Sequence, residues 1–118
     1  MLPAMSACLF CRIVAGEVPA RRVHEDDRVL AFHDISPKAP THVLVIPRRH
    51  IASLDELVPA DVELVGHLMV TAAAVARQAG IAGTGYRAVI NTGADGGQSV
   101  GHVHVHVLGG RPLSWPPG

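Results

Sequence analysis

Apolar residues in CLFCRIVAGEVPA fall at Leu9, Phe10, Ile13 and Val14, and Gly16 and Pro19 follow the run. That spacing predicts a short amphipathic helix with a sharp stop. RRVHEDDRVLAFHDI reads as two β runs joined by a turn at Glu25-Asp26-Asp27. Pro37 and Pro40 mark a loop, and THVLVIP, residues 41–47, is an apolar, β-branched strand stopped by Pro47. From Pro59 to Ala79 the period changes. Val62, Val65, Leu68, Met69, Ala72, Val75 and Ala79 recur at helical spacing and predict one long helix with a single apolar stripe. Pro59 suits its first turn and Gly80 the position just past its end. YRAVINT, residues 86–92, predicts a strand, GADGGQS a glycine-rich loop, and HVHVHVLGG, residues 102–110, the last strand. Short strands with tight turns, interrupted by one long helix, predict an antiparallel sheet of about five strands with a helix packed on it. The fold class is α+β.

The last strand alternates valine with His102, His104 and His106. Side chains alternate faces along a strand, so the three imidazoles share one face about 6.6 Å apart, and Val103, Val105 and Val107 share the core face. Two kinds of chemistry fit such a face. It could hold a metal, or one imidazole could attack phosphorus while its neighbours orient it. The loop just upstream carries Gly96, Gly97, Gln98 and Ser99. Glycines let backbone N–H groups approach a phosphate closely, so this loop favours a phosphate ligand.

Composition narrows the classes further. A chain of 118 residues predicts one domain, over residues 1–118, with 1–7 a flexible N-terminus. Hydrophobic residues make up 48% and aromatics only 3%, so the core is built from small side chains and a second copy would add burial. Formal charge is zero, and the only basic pairs are Arg21-Arg22 and Arg48-Arg49. No nucleic-acid partner is expected from that. No stretch is expected to reach the ~18 apolar residues of a membrane span, and MLPAMSACLF lacks the basic start of a signal peptide. No membrane association and a cytoplasmic location are therefore expected. Cys8 and Cys11 are spaced CxxC, which in a reducing compartment favours a metal or a redox pair over a structural disulfide.

HVHVHVL, AFHDISPKAPTHVLVIPRRHI, DGGQSVGHVHVHVLGG and the WPPG tail together resemble the histidine-triad family, in its branch of small nucleotide-binding proteins, and in the bacterial type with an N-terminal CxxC. The likeness runs from about Phe10 to the end. It implies the histidine-triad fold as a homodimer whose two sheets join into one. It implies cleavage of purine nucleoside 5′-phosphoramidates, such as adenosine 5′-monophosphoramidate, through a nucleotidyl-histidine. His104 matches the nucleophile, His106 the neighbour that contacts phosphate or leaving group, and His42 the separate histidine facing the triad. Ser99 matches a serine near the leaving group and Asn91 a polar residue near the phosphate. Asp34 matches the acceptor of the ribose hydroxyls. Phe10, Ile13, Phe32, His33, Ile35 and Leu44 match the apolar slot for the base, and Gly97, Gln98, Ser99 and Val100 the loop around the phosphate. For Phe32, Ile35 and Leu44 the residues themselves equally suit ordinary core.

The same likeness implies a structural zinc ion held by Cys8, Cys11, His50 and His102, with no cofactor needed for the chemistry. His102 would then hold metal and support His104 rather than carry protons. Two positions depart from the family pattern. Gly101 stands where animal relatives often carry tyrosine, which opens the rim of the pocket, and Ser114 replaces a common histidine before Trp115. Two other readings fit the same residues. One is a dinucleoside polyphosphate hydrolase of another histidine-triad branch, which usually lacks the WPPG tail. The other is a non-catalytic nucleotide- or metal-binding regulator.

Overall fold

The computed structural model describes residues 7–118. The flexible N-terminus expected over 1–7 lies, apart from Ala7, outside the described residues. Helix α1 (Leu9–Val14) is followed by strands β1 (Arg22–Glu25), β2 (Val29–His33) and β3 (Thr41–Pro47). Two short 3-10 turns, Leu54–Glu56 and Pro59–Asp61, lead into helix α2 (Val62–Gln78), and strands β4 (Tyr86–Val89) and β5 (Val105–Gly109) complete the fold. The sheet is antiparallel in the order β1-β2-β3-β5-β4. Class, strand number and the one long helix agree with the sequence-based expectation.

Each central strand splits its residues between two cores. Val29, Ala31, Val43, Val45, Val105 and Val107 pack with Leu68, Ala72, Val75 and Ala76 of α2. Leu30, Phe32, Leu44 and Ile46, from the alternate positions, pack with Cys8, Phe10 and Ile13 of α1. This period of two decides where the chemistry goes: His42 and His106 fall on the α1 side of the sheet, opposite the long helix.

Several boundaries differ from the sequence reading, each for a local reason. The turn after β1 spans Asp26 to Arg28, because the Asp26 carboxylate accepts the N–H groups of Arg28 and Val29 at 2.9 and 2.8 Å and closes an Asx turn. β4 ends at Val89, so Asn91 lies in the following loop. In α2 the buried residues are Leu68, Thr71, Ala72, Val75 and Ala76. The apolar stripe is rotated from the one expected, since Val62 and Met69 are 70% and 40% exposed. The stripe that packs is the one with small residues, which let the helix approach the sheet closely. Gly80 has a positive φ of 77°, as its expected place past the helix end requires.

By length and composition alone, Pro59–Gln78 would also suit a bilayer, which corrects the expectation that no such stretch exists. In the fold its inner face is the cover of the sheet.

β5 begins at Val105, not His102. The chain before it leaves the sheet. The His102 N–H donates to Val100 O at 2.9 Å, and the Val103 N–H to Ile51 O at 2.7 Å. The segment is thereby bent toward β3's exit and the α1 N-terminus. Of the three histidines, only His106 sits in a regular strand.

Candidate active site and metal cluster

The three imidazoles have three different environments. His102 is fully buried at 0% exposure. Its Nε2–H donates to Pro47 O at 2.8 Å. A carbonyl can only accept, so the proton is on Nε2 and the Nδ1 lone pair is free. That lone pair faces two sulfurs, Cys8 Sγ at 3.4 Å and Cys11 Sγ at 3.6 Å. His104, also buried, donates its Nδ1–H to the carbonyl of His102 at 2.7 Å. By the same logic its Nε2 carries an unshared pair and cannot be the protonated nitrogen of the neutral ring. That is the state an imidazole nucleophile needs.

His106 belongs to a second chain of contacts. The Lys38 N–H donates to His42 Nδ1 at 3.0 Å. An amide N–H can only donate, so His42 holds its proton on Nε2 and donates it to His106 Nδ1, 2.9 Å away. His106 in turn keeps its proton on Nε2, beside the His104 ring with centroids 4.9 Å apart. One backbone amide thus sets two tautomers in series. The result is an acceptor nitrogen on His104 next to a donor nitrogen on His106.

Burial reinforces the neutral state. It pushes His106 down to about 4, helped by the neighbouring His104 and His42, while Asp34 opposes the shift. It lowers His42 as well, against the pull of Asp34. An unfolded chain takes up protons at these rings from about pH 6.5, while the folded protein resists until about pH 4 for His106. More protons are then bound in the unfolded state, so the stability these rings contribute falls as pH drops through that window. Denaturant unfolding of the wild type and of His106→Gln should therefore converge between pH 7 and 4, the wild type losing more. A constant difference between the two would contradict the assignment.

The four donor atoms of Cys8, Cys11, His50 and His102 lie within 4.8 Å of one another. His50 Nδ1 is 3.2 Å from Cys11 Sγ. A tetrahedral cation with ordinary zinc–sulfur and zinc–nitrogen lengths would set sulfur and nitrogen about 3.5 Å apart. The observed separations of 3.2, 3.4 and 3.6 Å match that edge. Burial, with Cys8 alongside, pushes the bare Cys11 thiol up to about 11. A cation would reverse that by coordinating the thiolate.

A second group, Asp34, His42 and His106, is as tightly clustered. There the contacts argue against a metal. The Lys38 N–H occupies the Nδ1 lone pair of His42, so its Nε2 bears hydrogen and offers no pair to a cation. In the first group, Pro47 O takes the hydrogen of His102 and leaves the ligating nitrogen bare.

The remaining expected residues are placed unevenly. Phe10, Ile13, Phe32 and Leu44 come together as one buried cluster beside the imidazoles, with Phe10 edge-on to His104 at 5.1 Å between centroids. Ile35 is 94% exposed. The His33 side chain lies on the other face of the sheet, in a cavity with Val23, Val43 and Val75. Asp34 accepts the Ser36 N–H at 2.8 Å with Oδ1, while Oδ2 lies 3.5 Å from His42 Nε2.

In the loop, the Gln98 amide is committed to structure. Its Oε1 accepts from Gly93, and its Nε2 donates to Ala52 O and Val100 O. Gly96 has no room for a side chain, since a Cβ would sit 2.4 Å from Thr92 O. Gly97 carries a positive φ of 78°. Gln98 thus shapes the loop whose amides the phosphate reading needs. Ser99 is exposed and lines a cavity of about 490 Å3 with Cys8, His50, Val100 and Gly101. Asn91 is half-buried at the end of β4's exit. The contacts that the sequence did not reveal are all backbone groups: Pro47 O, His102 O and the Lys38 N–H.

An imidazole with its acceptor nitrogen bare, a donor imidazole beside it and a glycine loop at the end of a five-stranded sheet define a protein of the histidine-triad class. The HIT domain model matches residues 15–113, and the chain belongs to that family. It is 46% identical over 118 residues to adenylylsulfatase HINT1 of Arabidopsis thaliana, covering 98% of this chain and 80% of that one. It is 47% identical over 115 residues to the 14 kDa zinc-binding protein of Zea mays, covering 96% and 89%. A HIT family hydrolase from Legionella pneumophila superimposes with a TM-score of 0.93 at 49% identity, over 94% of this chain and 99% of that one. The protein is thus similar to hydrolases of this family.

Proposed function

We propose that this protein is a nucleotide hydrolase that cleaves purine nucleoside 5′-phosphoramidates through a nucleotidyl-His104 intermediate. The observation that carries the reading is the 2.7 Å bond from His104 Nδ1–H to the His102 carbonyl, which leaves Nε2 as the nucleophile. Nε2 attacks the α-phosphorus and the P–N bond breaks. His106 Nε2–H hydrogen-bonds to the phosphate oxygens, and the departing amine takes its proton from water. Water then attacks the phosphorus, releases the nucleoside monophosphate and returns the proton to solvent. Two moderate displacements replace one hard one. The apolar walls at Phe10, Ile13, Phe32 and Leu44 receive the base, Asp34 the ribose hydroxyls, and the loop amides around Gly97, Ser99 and Val100 the phosphate, with Asn91 close by. The name of the Arabidopsis relative, an adenylylsulfatase, is consistent with an adenylyl group as the transferred unit.

The Cys8, Cys11, His50 and His102 cluster holds a structural zinc ion on this reading, in line with the name of the maize relative. Zinc there supplies a fixed anchor and no chemistry. Homodimerisation into a continuous sheet is supported by the outer edge of β4, which pairs with no further strand among the described residues, and by the exposed Val62, Met69 and Val70 on α2. The chain acts as one domain in the cytoplasm.

Turnover of adenosine 5′-monophosphoramidate and of a diadenosine polyphosphate by the same preparation tests the substrate class. The expected outcome is a kcat/KM at least about tenfold higher for the phosphoramidate, a modest margin for discrimination between leaving groups. The reverse order would move the protein to the dinucleoside polyphosphate branch.

A further inference from the structure

Helix α1 has six residues, well below the length at which a helix persists alone in water. It nevertheless carries parts of two separate sites. Its N-cap Cys8 and its Cys11 are the two sulfurs of the metal cluster. Phe10 and Ile13, interleaved with them, are the α1 wall of the apolar slot. The Phe10 ring lies edge-on to Phe32 at 5.5 Å, to His104 at 5.1 Å and to His102 at 5.8 Å between centroids. The two nitrogen donors belong to the body of the fold. His50 follows β3 and His102 precedes β5. A cation bound by all four ties α1 to the sheet at the residues on either side of Phe10.

We infer that the metal site and the nucleoside slot are energetically coupled: metal holds Phe10 and Ile13 against the sheet and thereby raises affinity for a nucleoside monophosphate. By linkage, the nucleotide raises affinity for the metal by the same factor. This rests on the nucleotide reading above and adds a regulatory input to that site. Without metal, α1 keeps its apolar contacts and the bond from Arg22 Nη2 to Ile13 O at 2.8 Å. Loss of metal therefore loosens the wall rather than releasing it, and a coupling of about tenfold is expected, within the common range for linked sites.

Calorimetric titration of AMP into the zinc-loaded chain, the chelator-stripped chain and the reloaded chain measures one side of the linkage. Zinc transfer from the loaded protein to a chromophoric chelator, with and without saturating AMP, measures the other. Stripping should raise the AMP Kd about tenfold and reloading should restore it, while AMP should tighten zinc by the same factor. Cys11→Ser should bind AMP like the stripped protein and ignore added zinc. An AMP Kd that is the same with and without metal would overturn the inference and leave the proposed function standing. No AMP binding in any state would overturn the nucleotide reading itself. Should the stripped protein not stay folded, the transfer measurement on the intact protein decides alone, and zinc transfer unaffected by AMP overturns the coupling.

Discussion

Replacing His104 by alanine is expected to lower kcat for adenosine 5′-monophosphoramidate by about a thousandfold or more, with AMP binding kept within a few-fold. A residue that forms the covalent bond has no substitute in the remaining site, so its loss removes the whole two-step route. His106 cannot replace it. The tautomer chain from the Lys38 amide through His42 leaves hydrogen on His106 Nε2 and so denies it a free pair. Binding is spared because the apolar walls, Asp34 and the loop amides are untouched. Steady-state kinetics with AMP titration on the variant checks both halves. Turnover near the wild-type rate would show that another group attacks the phosphorus.

Removal of the metal is expected to lower the melting temperature by about 10 °C or more. A ligand present at about 100 to 1,000 times its Kd stabilises by about 3–4 kcal/mol. At this chain length each kcal/mol moves Tm by about 3–6 °C. The stripped site leaves the buried Cys8 thiol, the part-buried Cys11 thiol and the Nδ1 of His102 with only weak contacts, to one another, to His50 Nδ1 and to the Cys11 N–H. Scanning calorimetry on the loaded and the stripped protein measures the change, and Cys8→Ala should melt near the stripped value whether or not zinc is added. Equal melting temperatures for the loaded and stripped protein would mean that the four donors do not hold a metal that matters to the fold.

The elements that carry these effects differ in how much of them the sequence shows. Period-two alternation was enough to put His106 and the valines of β5 on opposite faces, because burial of one face enforces that register. It could not show that His102 and His104 leave the strand, because the cause lies in Ile51 O, half the chain away, which takes the Val103 N–H. The four-donor cluster shows the same limit. CxxC is visible as a pair, but His50 and His102 sit 39 and 91 residues from Cys11, and no spacing rule joins them. Family likeness supplied that grouping. The roles of the imidazoles depend on three backbone groups, and a backbone carbonyl or amide is present at nearly every position, so nothing in the sequence marks the ones that matter. The stripe on α2 was misplaced because apolar residues outnumber the positions the sheet can cover, leaving Val62, Met69 and Val70 outside.

The central claim is that His104 forms a covalent bond to phosphorus. Its most direct test is peptide mass spectrometry of the enzyme, quenched in alkaline denaturant during turnover of adenosine 5′-monophosphoramidate. One adenylyl group is expected on the peptide that contains His104, and none in His104→Ala. An adenylyl group on a different residue, or full turnover with no labelled peptide at any time, would contradict it.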